Sequence, residues 1–158
     1  MSEIIKRADA GMPLLGICNG FQILCEAHLL PGALTRNAGR TFVCTEQRLR
    51  VESIDTVWTN TYTPGPGDHD RPQVRRGQLC RRRGDPAPHR GGENQVVFRY
   101  VATPTSARDI AGGVTNERGN VVGLMPHPPE HNVEDLTGNT DGKPFFTSVQ
   151  AFLARALG

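Results

Sequence analysis

The residues best suited to chemistry are a cysteine and a histidine far apart in the chain. Cys18 stands in Gly16-Ile17-Cys18-Asn19-Gly20, with a glycine two positions to either side. Before it, Leu14, Leu15 and Ile17 form the short apolar run of a buried parallel strand. After Gly20 the apolar period turns helical, through Phe21, Ile23, Leu24, Cys25, Ala27 and Leu30, until Pro31-Gly32 stops it. Cys18 therefore falls at a strand-to-helix corner. Flanking glycines let a chain turn sharply, as in the G-x-S-x-G elbow that lifts a nucleophile clear of a sheet. Backbone N–H groups opening the helix would then face the thiol, favouring a thiolate and steadying an oxyanion. The natural oxyanion donor is the N–H of Asn19. The same residues also suit a small buried thiol packed between a core strand and a core helix.

A cysteine nucleophile needs a base, and the base has to be a histidine. Of the five histidines, His127 follows the apolar run "VVGLM" within "MPHPPEH", which puts it at a strand end. Glu130 comes three residues later. Cys18, His127 and Glu130 supply the nucleophile, base and orienting carboxylate of a triad. His28 falls inside the predicted helix as a surface or packing residue, His69 and His89 lie in an arginine-rich stretch, and His131 has no evident role. Zinc held by His127, His131 and cysteines would lack a C-x-x-C pair, so no metal is expected.

These residues need elements to place them. "RTFVCTEQRLRVES" (40–53) reads as two short strands around a polar turn, and "NQVVFRYV" (94–101) as another strand. "DIAGGVTNERGNVVGLMPH" predicts a hairpin whose two apolar runs join through Glu117-Arg118-Gly119-Asn120. "KPFFTSVQAFLARAL" predicts a closing helix with Pro144 in its first turn and Phe146, Val149, Leu153 and Leu157 as the buried stripe. These elements make an α/β fold with a mainly parallel sheet, an antiparallel hairpin and flanking helices. At 158 residues, 37% hydrophobic and 22% charged, the chain suits one domain with a real core. No run is apolar enough for a membrane span, and "MSEIIKRADAG" has no apolar leader region. The expected location is cytoplasmic. Four cysteines, Cys18, Cys25, Cys44 and Cys80, lack paired motif spacing, which points to reduced thiols.

One stretch differs from the rest. Residues 66–92 hold seven arginines against three aspartates, a balance of +4 in a chain whose net charge is +2. The stretch has no lysine, no aromatic residue and little apolar alternation, so residues 66–91 are expected to be disordered. An arginine cluster can bind phosphates, but without aromatic side chains for stacking a nucleic-acid arm is disfavoured.

Taken together, "GICNGFQ", "NQVVFRYV" and "NERGNVVGLMPHPPEHNVEDLTGNTDGKPFFTSV" closely resemble the glutamine amidotransferase subunit of phosphoribosylformylglycinamidine synthase, a class I triad glutaminase of purine biosynthesis. The resemblance covers residues 11–64 and 92–150. It implies a flavodoxin-like sheet flanked by helices, with Cys18 attacking the glutamine carboxamide, His127 shuttling the proton and Glu130 orienting His127. It also implies that Asn19, Gly20 and Gln22 form the oxyanion and substrate loop. Partners implied are glutamine, a large formylglycinamidine synthetase subunit and a small bridging subunit, with no nucleic acid and no membrane. ATP and magnesium are expected on the synthetase, and no cofactor on this chain.

The chain departs from the family pattern in three places. Family members begin earlier, so residues 1–158 are expected to form a single partial domain lacking the N-terminal strands. The usual His-Pro-Glu is here His127-Pro128-Pro129-Glu130, which shifts the carboxylate along a stiff turn. Residues 66–91 match nothing in the family, yet permissible codons for Arg76–Gly92, read one nucleotide later, yield "EGNYVADAETLHRIEG", which the family places there. A frameshifted stretch is expected on that ground. Two other readings are an inactive remnant of the family and an unrelated thiol hydrolase; the latter fits the cysteine but not "GFQ" or "NERGNV".

Overall fold

Apolar runs of four or five residues are the simplest elements of this chain, and each becomes a strand. The computed structural model describes residues 1–32, 42–63, 73–82, 95–101, 111–128, 136 and 139–157, with backbone alone at 42–47, 73–82 and 157. In chain order these form α1 (Ser2–Asp9), β1 (Leu14–Ile17), α2 (Asn19–Glu26), β2 (Phe42–Val51), β3 (Gln73–Arg82), β4 (Val96–Tyr100), β5 (Ala111–Thr115), β6 (Val121–Leu124) and α3 (Lys143–Leu157). The strands make one sheet in the order β1-β6-β5-β4-β2-β3.

The sheet is α/β in class but not mainly parallel. Among the described strands only β1 and β6 run parallel, with Leu14 opposite Val121 and Ile17 opposite Leu124. The β2–β3, β2–β4, β4–β5 and β5–β6 pairings are antiparallel. A short connection such as Asn116–Asn120 can only return a strand antiparallel to its predecessor, whereas a parallel pair needs a long crossover.

Strands at the centre are buried on both faces, which explains their unbroken apolar runs. Along β6 the side chains alternate: Val121 packs with Ala8, Phe21, Leu24, Leu30 and Val114 on the α1/α2 face. Val122 and Leu124 pack with Leu49, Val51, Phe98 and Phe145 on the α3 face. On that second face Tyr62 meets Phe98 and Phe145 edge-on, with centroids 6.4 and 5.7 Å away. Phe98 and Phe145 stack at 5.6 Å.

Four local expectations are corrected. Within 40–53, Phe42–Val51 is one strand rather than two, and the polar middle becomes a register shift between Gln47 and Leu49. The strand stays continuous because β3 satisfies its backbone along most of its length. Within the arginine-rich 66–91, Gln73–Arg82 is that paired strand, so the expectation of disorder fails for it. A proline-free run beside an open edge can complete a ladder whatever its side chains. The rest of 66–91 lies outside the described residues.

Helix α2 ends at Glu26 rather than running to Pro31. Leu29 N–H bonds the Leu24 carbonyl and His28 N–H bonds that of Cys25, each at 3.0 Å. His28 takes φ 56°, a left-handed helix stop that favours glycine. His28 is thus a helix-terminating residue, exposed to solvent. In α3 the buried stripe is Phe145 and Ser148, with Val149 and Phe152 half-buried. Phe146 and Leu153 are exposed. The stripe shifts by one residue because a hydroxyl, Ser148, is accepted inside: Thr61 Oγ1 lies 2.8 Å from its Oγ.

Candidate active site

Cys18 stands where β1 gives way to α2, as the last residue before the helix. Its φ of 54° and ψ of −108° are an unusual backbone conformation for any side chain but glycine. Such a conformation costs about 1–3 kcal/mol and persists only where neighbours enforce it. The neighbours are identifiable. Cys18 N–H bonds the Leu124 carbonyl at 2.9 Å, extending the β1–β6 ladder by one step. Its carbonyl accepts the Gln22 N–H at 3.2 Å, starting the helix. The residue is pinned on one side by the sheet and on the other by α2.

Two glycines let the helix come this close. Gly16 and Gly123 are directly opposite one another in β1 and β6. A Cβ on Gly16 would lie 2.5 Å from Leu24 Cδ1 and 2.8 Å from the backbone of Gly20. One on Gly123 would collide with Phe21 and Leu30. Phe21 and Leu24, one helical turn apart, seat in the notch that these glycines leave. The first turn of α2 is thereby held over the end of β1.

That first turn carries the expected oxyanion donors. The Cys18 side chain does not cap the helix, so the opening N–H groups have no internal acceptor of the helical kind. Asn19 is exposed, Gly20 and Gln22 are half-buried, and a Cβ on Gly20 would meet nothing within 4 Å among the described residues. Cys18 itself is partly exposed.

His127 arrives from the adjacent strand. After β6 ends at Leu124, Met125 N–H still bonds the Gly112 carbonyl at 3.1 Å, so the exit path stays tied to β5. Pro126 and Pro128 are buried on either side of a half-buried His127. Its Nε2 is shielded from solvent. Because β1 and β6 are parallel and in register, Cys18 lies one residue beyond one strand and His127 three residues beyond its neighbour. The carboxyl ends of parallel strands are where α/β sheets place their ligands. Glu130 and His131 lie outside the described residues. Among the described residues no group of three or more His, Cys, Asp or Glu side chains could hold a metal ion. No described helix is long and apolar enough to cross a membrane.

The second thiol of the helix shows what a purely structural cysteine looks like here. Cys25 is buried, and burial first, then the nearby Glu26 charge, pushes its pKa up to about 11. Of these two cysteines only Cys18 is at the corner.

Gly123 and Asn120 were not singled out as site-forming residues. Gly123 sits inside an ordinary apolar run, where only its pairing with Gly16 gives it meaning. Asn120 carried a signal only as a turn residue. It is in fact buried, and its amide reaches the Ala8 and Met12 carbonyls at 2.9 and 3.0 Å.

Comparison with known proteins agrees with this geometry. A profile of the CobB/CobQ-like glutamine amidotransferase domain matches residues 2–140. The phosphoribosylformylglycinamidine synthase subunit PurQ of Streptomyces avermitilis is 49% identical over 99% of this chain and 70% of its own length. The Mycobacterium tuberculosis subunit of the same name is 47% identical, over 97% of this chain and 68% of its own. Among solved structures, a chain of PurLQS from Thermotoga maritima superposes with a TM-score of 0.77 and 39% identity, covering 96% of this chain and 66% of that one. A putative GMP synthase subunit from Thermoplasma acidophilum, 13% identical with a TM-score of 0.53, shares the fold alone. The chain belongs to the CobB/CobQ-like glutamine amidotransferase family, in the branch of the PurQ subunits of phosphoribosylformylglycinamidine synthase.

Proposed function

We propose that this chain hydrolyses glutamine through Cys18 and delivers the ammonia to a synthetase that converts formylglycinamide ribonucleotide to its amidine. The observation that carries the reading is the constrained backbone of Cys18, one residue past β1, with His127 three residues past the parallel strand β6. In the first half-reaction Sγ forms a bond to the carboxamide carbon while the thiol proton passes to His127. The oxyanion accepts a hydrogen bond from Asn19 N–H at the start of α2, beside the space at Gly20. As the C–N bond breaks, His127 returns the proton to the departing nitrogen, and ammonia leaves a thioester on Cys18. In the second half His127 takes a proton from water, the water oxygen attacks the thioester, and glutamate leaves as the thiol is restored. Glu130 orients His127, and Gln22 contributes to the substrate loop.

Ammonia has value only where it is consumed, so the partners we assign are a large synthetase subunit holding ATP and magnesium and a small bridging subunit. Support for this comes from the similarity to a chain of the Thermotoga PurLQS structure. We assign no cofactor to this chain. The test is glutamine-dependent ammonia release by the chain with a synthetase partner, beside labelling by a diazoketone glutamine analogue. Cys18→Ser should abolish both. Labelling that survives in the mutant, or ammonia release at the parent rate, would remove Cys18 from its role.

A further inference from the structure

We propose that Asn120 is a positioning residue for the Cys18–His127 pair, acting by fixing the register of β1 against β6; the catalytic part of this rests on the glutaminase reading above. Among the described strands β1 is hydrogen-bonded along one edge only, to β6, over four residues. The register of that ladder decides where the corner after β1 stands. A slip of one residue would carry Cys18 about 3.3 Å along the strand and turn its side chain to the other face.

Asn120 is placed to prevent this. It stands immediately before β6 and is 3% exposed. Its carbonyl accepts the Leu14 N–H at 2.9 Å, the first rung of the β1–β6 pairing. Its Nδ2 donates to Met12 O at 3.0 Å and Ala8 O at 2.9 Å, gripping the segment that leads into β1 and the last turn of α1. Its Oδ1 accepts from Asn116 Nδ2 at 2.9 Å. Asn116 in turn accepts the Val121 N–H at 3.1 Å. One amide thus links the hairpin that aims His127 to the strand entry that aims Cys18. The same Nδ2 thus holds both the last turn of α1 and the entry to β1. A hydrogen-bonded buried network of this kind acts as a unit.

The test separates register from mere stability. Two variants are compared: Asn120→Ala, and Thr61→Val, which cuts the remote hydroxyl contacts to Pro144, Thr147 and Ser148. Amide exchange is read at Cys18 N–H and across β4 and β5, well below the melting transition. Asn120→Ala should accelerate exchange at Cys18 at least tenfold more than in β4, whereas Thr61→Val should not. In the same samples, Asn120→Ala should slow labelling by the diazoketone analogue at least tenfold and change iodoacetamide labelling of Cys18 less than threefold. Exchange that rises uniformly, or analogue labelling unchanged from the parent, overturns the proposal. If the parent resists the analogue while Asn120→Ala still frees the Cys18 amide selectively, the register role stands and the glutaminase reading falls.

Discussion

The two ends of the β1–β6 pair are built on opposite plans. At the amino end the backbone and side-chain groups are satisfied by one another: Asn120, Asn116, Leu14, Ala8 and Met12 close a hydrogen-bonded knot. Trp58 Nε1 adds a bond to the Asn120 carbonyl at 3.3 Å. At the carboxyl end Cys18 is held in a conformation it would not choose, the first turn of α2 starts without a side-chain cap, and a half-buried histidine follows a proline. One end closes its polar groups on one another; the other is where we propose that the substrate binds. A site can hold a strained residue only where a rigid frame enforces it.

Breaking the contrast at the carboxyl end gives the largest effect. Cys18→Gly removes the nucleophile, so ammonia release should fall by at least about 10³-fold. The same change relieves the positive φ, so the melting midpoint should rise, by the equivalent of about 1 kcal/mol. Calorimetry and an ammonia assay on one sample check both. A variant that lost activity and also melted lower would show that the side chain at 18 supports the fold.

The frame itself is tested at Gly123. Gly123→Ala drives a methyl into Phe21 and Leu30 and should destabilise by about 1–3 kcal/mol, measured by urea titration. Gly20→Ala is its counterpart. With open space around it and a helical position, it should be neutral or stabilising by up to about 1 kcal/mol. If Gly20→Ala keeps its stability but loses labelling by the glutamine analogue, the open space belongs to the substrate.

The two helical thiols sharpen the comparison by pH. With a pKa of about 11, Cys25 is thiolate at about one part in a thousand at pH 8. Peptide mapping after iodoacetamide at that pH should find Cys18 modified at least about 100-fold faster than Cys25. The folded chain keeps the Cys25 proton up to about 11, while an unfolded chain releases it near the ordinary 9.0. Stability should therefore fall as pH rises across that window. Cys25→Ala should flatten that fall. The smallest effect is at the end of α2. His28→Gly should stabilise by about 0.5–1 kcal/mol, because α1 stops in the same manner with Gly11 at φ +87°.

How much of this was readable from the letters depends on whether the cause was local. The corner at Cys18, the hairpin through Asn116–Asn120 and the strand at 96–100 follow from short apolar runs and turn residues, and all three stand. What failed were properties set by distant partners. The strand at 73–82 exists because β2 offers it an edge, and nothing in "QVRRGQLCRR" announces that. Helix α3 turns Phe145 inward, in place of Phe146, because Tyr62 and Phe98 are there to receive it. The notch of Gly16 and Gly123 joins two residues whose relation appears only when the strands pair. Cys18 and His127 were each legible from the letters; the frame that sets them beyond the ends of two paired strands was not.

The same frame sets the order in which the protein can become active. Asn120 bonds residues 112 and 108 positions earlier in the chain, whereas β5 and β6 are joined by a turn of a few residues. The hairpin can close as soon as it is made, but the pairing of β1 with β6 has to wait for residues more than a hundred positions downstream. During synthesis the thiol emerges long before the histidine that is proposed to serve it. The proposed nucleophile is made early and its proposed base late, so a growing chain carries Cys18 before His127 exists.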